Sequence, residues 1–538
     1  MAHRVAPRPR ASKMPQHVIR RLRPYLFTNF ARIVRYASGQ AVEAHAASND
    51  YLRRVEHLES AKPRAEWSML GNLRRCLKTR PGKRGLFLLS SIRAAGSKLV
   101  FVTILEDEHP LQIVLKHAQL ADTIKKFAAI ARKGDTYSFT GLAHRTARGQ
   151  LSLLATETPA LVSPSLHQIP EELADPETLS HYRHVHMLVD PNVRQVLKVR
   201  HTVERTIDDF LCAKDFLKVN TPILQAGAGG AIARPFVTQA TDLHGKKLNL
   251  RIAPELWLKR LIVGGMSRIY EMGPVFRNEG VDATHNPEFT MCEFYAAHAT
   301  LGELMEWTEH LMLRLHQDTK QYRKEASLEI ATSFAQLEFI PTLESKLGYA
   351  LPDLESTDAV NQLTKLFHDR NIPMPHNPSL PRLLDALAAH YIEPLCDRPT
   401  FITHHPVALS PLAKRFQCTQ SGQWVSARAE LFINHCEIAN MYEEQNSPFE
   451  QRQAFLEQLK YRAIDGESDG EASIDHSYIE ALEWGLPPTG GWGCGVDRLV
   501  MLLSGRSRIG DVLSFGNLRN VVGVAQSKQA STSRGSSM

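Results

Sequence analysis

Apolar and polar residues alternate along four short stretches in the first third of the chain, at residues 98–105, 111–115, 136–143 and 150–155. Alternation with a period of two predicts β-strands that bury one face, and several such strands close together predict a small β-barrel. Farther along, apolar residues recur with the period of a long amphipathic helix. These residues are Val196, Val199, Val203, Ile207, Phe210 and Leu211.

Other stretches predict boundaries. Four prolines between residues 159 and 176 indicate a linker, and Pro222 in segment 219–223 favours an extended strand at an edge or interface. The tail 525–538 is a Ser-containing, low-complexity segment that is typical of disorder. No apolar stretch approaches the roughly 18 to 20 residues that a membrane-spanning helix needs, so we expect no membrane association.

The basic charge is concentrated at the N-terminus. The 538 residues contain 64 Lys and Arg against 57 Asp and Glu, and residues 1–42 contain Lys and Arg but no acid. A basic, acid-free segment that mixes arginine with apolar residues is typical of a mitochondrial import signal. We therefore predict a mitochondrial transit peptide over 1–42 and a location in the matrix; an arm that binds nucleic acid is the alternative. Residues 43–84 predict a basic helical extension.

The seven cysteines are spread along the chain without a Cys-x-x-Cys pair. This spacing argues against a disulfide framework and against a structural zinc site, and it fits a reducing compartment. The residues are Cys76, Cys212, Cys292, Cys396, Cys418, Cys436 and Cys494.

Three separate segments are dense in residues that carry chemistry, and the first places arginines beside acids. Residues 251–255, 276–279 and 285–289 read RIAPE, FRNE and HNPEF. A guanidinium fork can hold two phosphate oxygens, or one phosphate and one carboxylate, through charge-assisted hydrogen bonds. The pattern indicates a polyphosphate site, and surface ion pairs are the alternative that it leaves open.

The second segment, 430–440, carries Glu430 and Glu437 on apolar runs that flank a turn near Asn434. Two carboxylates that face each other across a hairpin repel unless a cation lies between them, and hard oxygen ligands favour Mg²⁺. We therefore predict a magnesium site at these two residues. Two acids on a hydrated sheet edge are the alternative.

The third segment, 491–498, alternates glycine with other residues and ends at Arg498, before an apolar run. Alternate glycines remove the side chains from one face of a strand, so that a flat ligand or another backbone can come close. Arg498 would then open a helix and stack on an aromatic base. A Rossmann fold is not expected, because no βαβ unit with a trailing acid follows.

In order, these segments resemble the three signature motifs of the class II aminoacyl-tRNA synthetases. The helix that leads to Pro222 resembles motif 1, residues 276–289 resemble motif 2, and residues 491–498 resemble motif 3. Within that class the chain is most similar to the lysyl-tRNA synthetases. Further similar stretches lie at residues 229–236, 251–261, 285–290, 399–412, 486–489 and 511–512.

The resemblance implies an α+β fold. A five-stranded oligonucleotide-binding β-barrel (an OB-fold) over residues 85–160 would bind the anticodon. A linker over 161–180 would join it to a class II catalytic domain over 181–524, with an antiparallel sheet flanked by helices. Motif 1 would build the interface of a homodimer.

The same resemblance implies a reaction and assigns residues to it. Lysine and ATP would give lysyl-adenylate and pyrophosphate, and the lysyl group would then pass to the 3′ end of tRNA(Lys). The ATP site, with Mg²⁺ on Glu430 and Glu437, would comprise the catalytic Arg277 and Arg498 with Glu279, His285, Asn286, Phe289, Glu430 and Glu437. The lysine site would comprise Gly230, Glu255, Glu293, Tyr295, Asn440, Tyr442 and Glu444, and the anticodon would contact Phe101 and Gln112.

Some positions depart from the family's pattern. Thr284 stands where bacterial relatives carry arginine, and Gln150 replaces a glutamate near the anticodon site. A related enzyme for aspartate or asparagine would need basic residues in its amino-acid pocket, whereas this pocket offers Glu293 and Glu444. A non-catalytic tRNA-binding paralogue is the second alternative, and the intact motif arginines and metal carboxylates argue against it.

Overall fold

The computed structural model describes residues 53–54, 56 and 83–518, except for 97, 107–108, 121–122, 176–178, 180–181, 227–232, 244, 323–332 and 465–473. Of residues 83–87 and 462–464 only the backbone is described. The predicted transit peptide, nearly all of the predicted extension, the tail 525–538 and Gly230 lie outside the described residues. The chain divides into two compact units, the first of which reaches Asp175 and also takes in His184–Pro191.

The first unit is built around a six-stranded sheet. Its elements are β1 (Lys83–Ala94), β2 (Leu99–Glu106), β3 (His109–Lys116), α1 (His117–Leu120), α2 (Thr123–Ile130), β4 (Thr136–Arg145), β5 (Leu151–Ala155) and β6 (Ala160–Ser163). The strand order is β1-β2-β3-β5-β4-β6, and β1 also pairs with β4. Each strand from β1 to β5 therefore has a hydrogen-bonded strand on both sides.

Side-chain alternation accounts for the core of this unit. Strand β2 buries Val100, Val102 and Ile104, whereas Phe101 and Thr103 between them are partly exposed. Strands β2 to β5 confirm the four alternating stretches of the sequence, because a half-buried strand needs that period. Strand β1 was not predicted from alternation, and β6 begins just before the predicted linker and pairs with β4.

The second unit contains the other strands. They are β7 (Leu217–Lys218), β8 (Leu224–Gln225), β9 (Val237–Gln239), β10 (Lys247–Leu250), β11 (Arg268–Phe276), β12 (Glu288–Ala297), β13 (Ala335–Glu338), β14 (Thr400–Thr403), β15 (Arg415–Gln417), β16 (Trp424–Ser426), β17 (Arg428–Ile433), β18 (Cys436–Glu443) and β19 (Thr489–Gly495). Eight of them form a sheet in the order β13-β14-β17-β18-β19-β12-β11-β7. Its pairs are antiparallel except β13–β14 and β11–β7.

Helices flank this sheet. After α3 (Arg183–Val189) they are α4 (Pro191–Cys212), α5 (Glu255–Val263), α6 (Leu301–Asp318), α7 (Phe339–Leu347), α8 (Ala359–Asp369), α9 (Leu380–Tyr391), α10 (Pro448–Ile464), α11 (His476–Glu483), α12 (Val496–Ser504) and α13 (Ile509–Val512). The predicted apolar face of α4 is confirmed: its valines pack in one core with residues of α6, α12 and the sheet. Helices α7, α8 and α9 share a separate core. No helix among the described residues is long and apolar enough to cross a membrane.

The segment around Pro222 connects β7 and β8, and its ends continue their pairing: the N–H of Val219 donates to the carbonyl of Tyr270, and the carbonyl of Ile223 accepts from the N–H of Arg251, both at 2.9 Å. Between these ends, Thr221 donates from its N–H and hydroxyl groups to Glu271, at 3.0 and 2.7 Å. The same carboxylate forms a buried ion pair with Arg251, whose guanidinium also donates to the carbonyl of Pro274 at 2.9 Å. Arg251, which is 2% exposed, therefore holds the backbone together in the interior of the unit.

Candidate active site

Neighbouring strands of the large sheet form the floor of a cavity of about 570 Å³. Cross-strand pairing arranges its residues in two rows, Tyr295–Gly491–Tyr442 and Glu293–Gly493–Asn440. The glycines of β19 leave the middle of each row without a side chain, while Trp492 and Cys494 point into the core on the other face. The alternating glycines thus produce a trough between the polar side chains of β12 and β18.

Gly491 is required by the side chains around it. A Cβ atom at this position would overlap the carboxylate of Glu444 and lie 2.7 Å from Cε1 of Tyr295. At Gly493 the nearest atom to an added Cβ is Cγ of Glu293, at an ordinary contact distance of 3.6 Å. The Glu444 carboxylate therefore lies directly against the backbone of β19.

One end of the cavity is cationic. Arg277 follows β11, and its guanidinium carbon lies 5.2 Å from the ring centre of Phe289. Its Nε is buried and has no hydrogen-bond partner among the described residues. Arg498, in the first turn of α12, donates from Nη1 to the backbone carbonyl and to Oε2 of Glu437, at 3.1 and 3.3 Å. Arg277 thus presents an unsatisfied donor, for which an anion is the natural partner.

The loop between β11 and β12 forms the rim of this end. Glu279 is exposed there. His285 lies with Nδ1 2.9 Å from Oδ2 of Asp282. Asn286 accepts from the N–H of Leu518 at 2.9 Å and donates to the carbonyl of Glu288, the first residue of β12, at 2.7 Å. The Asn286 side chain therefore fixes the end of the loop, and it lies on the cavity wall together with Glu279 and His285.

Glu430 and Glu437 lie on one hairpin, β17 and β18, as the sequence predicted. Its two-residue turn, 434–435, has φ angles of 53° and 61°. The two carboxylates are not directly opposite, because Glu430 pairs with Asn440 and Glu437 with Phe432 across an irregular register. Both nevertheless line the same cavity.

The two carboxylates differ in their electrostatic surroundings. Glu430 forms an ion pair with Arg428 and lies 3.0 Å from Nε2 of His405. Burial raises the pKa of Glu430, but these two neighbours outweigh it and lower the value to about 2. Burial and the charge of Glu430 raise the pKa of Glu437. A cation near both groups would offset this repulsion.

The donor set suits a magnesium ion that is shared with a substrate. No group of three or more His, Cys, Asp or Glu side chains in the described part of the chain is arranged to hold a metal. Mg²⁺ is commonly held by one or two protein carboxylates together with water and substrate phosphates. Glu430 and Glu437 fit that mode of binding, since they are hard oxygen ligands at the cationic end of the cavity.

The other end of the cavity is a pocket of buried acids and tyrosines. Glu255, at the start of α5, accepts from the hydroxyl of Tyr442 at 2.9 Å and from Nζ of Lys259 at 2.6 Å. Lys259 also forms an ion pair with Glu444, and both side chains are fully buried. Although burial lowers the pKa of Lys259, the carboxylates of Glu255 and Glu444 raise it well above its ordinary value.

Glu293 is the third buried acid of this pocket. Its Oε2 accepts from the hydroxyl of Tyr295 at 3.2 Å. Burial and the nearby Glu255 raise the pKa of Glu293 to about 8. No lysine or arginine forms an ion pair with this carboxylate among the described residues, so a cation that entered the pocket would find it available.

Three residues of the site were not predicted from the sequence. Lys259 could have been found from its spacing, because an acid and a lysine four residues apart on an otherwise apolar helix indicate a buried pair. Arg428 could have been found as well, because residues two apart on a strand lie on the same face, and Arg428 is two residues before Glu430 on β17. His405 lies on a loop and has no sequence signal that connects it to Glu430.

The candidate anticodon residues lie together in the first unit. Phe101 on β2 and Gln112 on β3 are both partly exposed. The guanidinium carbon of Arg93 lies 5.3 Å from the ring centre of Phe101, and Gln112 accepts from the hydroxyl of Ser152 at 3.0 Å. One aromatic face, one cation and one amide are thus available on the solvent side of these strands.

A mostly antiparallel sheet with flanking helices, an arginine whose buried Nε has no partner among the described residues, and a glycine-lined trough agree with the catalytic unit that the resemblance to the class II synthetases implies. The chain belongs to the class II tRNA synthetases (D, K and N), whose family model matches residues 175–519.

Three similar proteins within that family are lysine–tRNA ligases. The chain is 40% identical over 446 residues to the mitochondrial lysine–tRNA ligase of Schizosaccharomyces pombe, which covers 80% of this chain and 83% of the relative. It is 38% identical over 441 residues to a probable cytoplasmic lysine–tRNA ligase of Encephalitozoon cuniculi, with coverages of 79% and 85%. It is also 38% identical over 444 residues to the lysine–tRNA ligase of Aquifex aeolicus, with coverages of 80% and 72%.

Proposed function

We propose that this protein is a lysine–tRNA ligase that converts lysine and ATP to lysyl-adenylate and pyrophosphate, and then transfers the lysyl group to the 3′ end of tRNA(Lys) with release of AMP. The observation that carries the proposal is the buried pocket of Glu255, Glu293 and Glu444 beside the free donor of Arg277. Such a pocket attracts ammonium groups and rejects acidic side chains, and the neighbouring arginine attracts phosphate and carboxylate. The negatively charged side chain of aspartate would be repelled by these carboxylates. This argues against the alternative that the protein is an aspartate enzyme of the same family.

The family resemblance assigns the ATP-binding residues, and the charges of the reactants support the assignment. The attacking lysine carboxylate and the α-phosphate are both anions, so the protein must neutralise them and hold them in line. Arg277 has the free donor for both groups. Phe289 and Arg498 offer an aromatic and a cationic face for the adenine ring. The loop side chains Glu279, His285 and Asn286 would contact the adenine edge and the outer phosphates.

Glu430 and Glu437 would hold Mg²⁺ at the phosphate end. A bound Mg²⁺ would neutralise and orient the phosphates of ATP. The support is the hard oxygen donor set and the mutual repulsion of the two carboxylates. In the protein without a bound metal, Arg428 and His405 keep Glu430 anionic, since both favour its charged form.

In the amino-acid pocket, different residues along the trough would contact different parts of the lysine substrate. Glu293, Tyr295 and Glu444 would surround the ε-ammonium of lysine. Glu255 would face its α-ammonium together with Gly230, and Asn440 and Tyr442 would line the remaining length.

The first unit would be the oligonucleotide-binding barrel that binds the anticodon. The pairing of β1 with both β2 and β4 supports a barrel. Phe101 would stack on a splayed base and Gln112 would hydrogen-bond to a base edge, which is how such barrels bind single strands. Loss of tRNA charging without loss of adenylate formation in Phe101→Ala would support this role.

The protein would act in the mitochondrial matrix. The Arg-rich, acid-free segment 1–42 supports import, and a mitochondrial relative is among the similar proteins. Residues 1–45 fused to a fluorescent reporter should reach mitochondria; diffuse cytosolic or secretory fluorescence would contradict the import signal.

The decisive experiment is ATP–pyrophosphate exchange measured with each of the twenty amino acids. We expect exchange with lysine and little with aspartate or asparagine. Exchange with another amino acid would reject the proposed substrate, and no exchange with any would favour a non-catalytic paralogue. Charging of tRNA(Lys) then tests the second step.

A further inference from the structure

One cation directly behind the amino-acid pocket belongs to the protein itself. Lys259 lies one helical turn after Glu255 on α5, is fully buried, and bridges Glu255 and Glu444. Its Nζ also lies 5.9, 5.7 and 5.9 Å from the ring centres of Tyr295, Tyr442 and Tyr478. An ammonium among two carboxylates and three aromatic rings has the surroundings that a protein gives to a bound ammonium ligand.

We infer that Lys259 is a positioning residue that fixes two walls of the pocket and sets its total charge to match lysine. The inference rests on the proposed lysine–tRNA ligase function and extends it to a residue on the helix behind the trough. Lys259 would act through Glu255 and Glu444, which it holds in place, and its ammonium favours the charged form of Glu444.

The position of Lys259 explains why it acts on both ends of the substrate. Glu255 lies at the start of α5, on the side proposed for the α-ammonium, whereas Glu444 follows β18 and lies against Gly491, on the side proposed for the ε-ammonium. One ammonium that bridges both carboxylates fixes their separation. The hydroxyl of Tyr442 donates to the same oxygen of Glu255 at 2.9 Å, so this end is held twice.

The charges then match the ligand. Among the described residues, the buried acids Glu255 and Glu293 line the pocket, and the buried Glu444 and the ammonium of Lys259 lie directly behind its wall. With all four ionised the pocket carries a charge of −2. Lysine brings two ammonium groups, while its carboxylate faces Arg277 outside this set. Norleucine brings one, and would leave a buried negative charge uncompensated, which is strongly unfavourable.

Without Lys259 the same pocket would hold three acids and no internal cation. Burial raises the pKa of Glu444, and the Lys259 ammonium opposes that rise. The other titratable groups near Glu444 are Glu255, Glu293, Tyr295, Tyr442 and Tyr478. Burial raises the pKa values of the three tyrosines. Removing Lys259 should therefore favour protonated carboxyl groups and weaken lysine binding at neutral pH.

The test compares Lys259→Met, which keeps length and removes charge, with Lys259→Arg, which keeps charge. ATP–pyrophosphate exchange is measured with lysine and with norleucine from pH 6.5 to 9, with kcat and KM resolved. Lys346→Met, an exposed lysine on α7, is the matched control. Wild-type protein that does not activate lysine would reject the proposed function, whereas the comparison of variants tests Lys259 alone.

We expect Lys259→Met to lower kcat/KM for lysine by about tenfold or more, because each charge-assisted bond that the substrate loses to a protonated or displaced carboxyl group costs that much. The loss should fall mainly on KM, diminish as the pH rises, and reduce the preference for lysine over norleucine. A folded Lys259→Met protein with unchanged lysine KM and pH profile would overturn the inference. If that variant does not fold, Lys259→Arg decides: near-normal lysine preference supports a role of charge, and a loss of preference shows that only packing matters.

Discussion

At the scale of single residues, two arginines near the motif segments differ in what surrounds them. Arg251 is buried and bonded to Glu271, Thr221 and a backbone carbonyl, so it stabilises the fold. Arg277 lies beside the ring of Phe289 in the cavity and keeps a buried Nε without a partner among the described residues. A buried donor without a partner is costly unless a ligand satisfies it.

Arg277→Lys should abolish most adenylate formation while the protein stays folded. An ammonium cannot reproduce the two parallel hydrogen bonds of a guanidinium, and removal of one preorganised donor typically costs about 3 kcal/mol in the barrier. Pyrophosphate exchange with lysine should fall at least about a hundredfold, with little change in melting temperature. Arg314→Lys on the exposed face of α6 is the control. Near-normal exchange would show that Arg277 is not the residue that holds the reacting anions.

Lysine binding should release protons at neutral pH. Since burial raises the pKa of Glu293 to about 8, this carboxyl is mostly protonated at pH 7 in the free protein. The ε-ammonium favours the charged form, lowers the pKa and expels the proton. Binding should therefore tighten as the pH rises from 7 towards 9. Calorimetry in buffers of different ionisation enthalpy should measure proton release at pH 7, and less of it for Glu293→Gln, in which only Glu444 remains as an acid with a raised pKa on the side of the ε-ammonium. Equal release by both proteins would assign the proton to another group.

At the scale of elements, the sequence predicts best where one periodicity is visible. Strands β2 to β5 and helix α4 follow from period two and period 3.6, and β19 follows from alternating glycines. Strand β1 could not be found this way, because its apolar run, LFLL, does not alternate. The same holds for the candidate site. The motif residues can be recognised from short stretches of sequence. The contact between His405 and Glu430 cannot, because it forms only when the loop after β14 packs against β17.

The glycines of β19 allow a paired test of the trough. Gly491→Ala should lower the free energy of unfolding of the free protein by about 1 to 3 kcal/mol, because its methyl group overlaps Glu444 and crowds Tyr295. Gly493→Ala should have little effect, since its methyl group would meet Glu293 at an ordinary distance. Thermal and urea unfolding of the two variants measure the difference. Equal stabilities would mean that Glu444 does not lie against the strand.

At the scale of the whole molecule, several apolar side chains around the motif 1 segment are exposed in a single chain. Leu217, Leu224 and Val237 are 53%, 51% and 58% exposed. Leu217 and Leu224 lie on β7 and β8, on either side of the segment around Pro222, and Val237 lies on β9, in the same three-stranded sheet as β8. Isolated exposed leucines are ordinary, but a group on neighbouring short strands is typical of a protein interface. A second copy of this chain is the partner that the family resemblance implies.

The last prediction tests that homodimer. Leu224→Asp with Val237→Asp should convert a dimer into monomers, because two charges would have to be buried in the interface. Sedimentation velocity at micromolar concentration should show half the wild-type mass with an unchanged melting temperature for the second unit. Trp484→Asp, at an 81% exposed position on the turn after α11, should leave the mass unchanged. A double variant that remains dimeric would place the interface elsewhere, and a monomeric wild-type protein would reject the dimer itself.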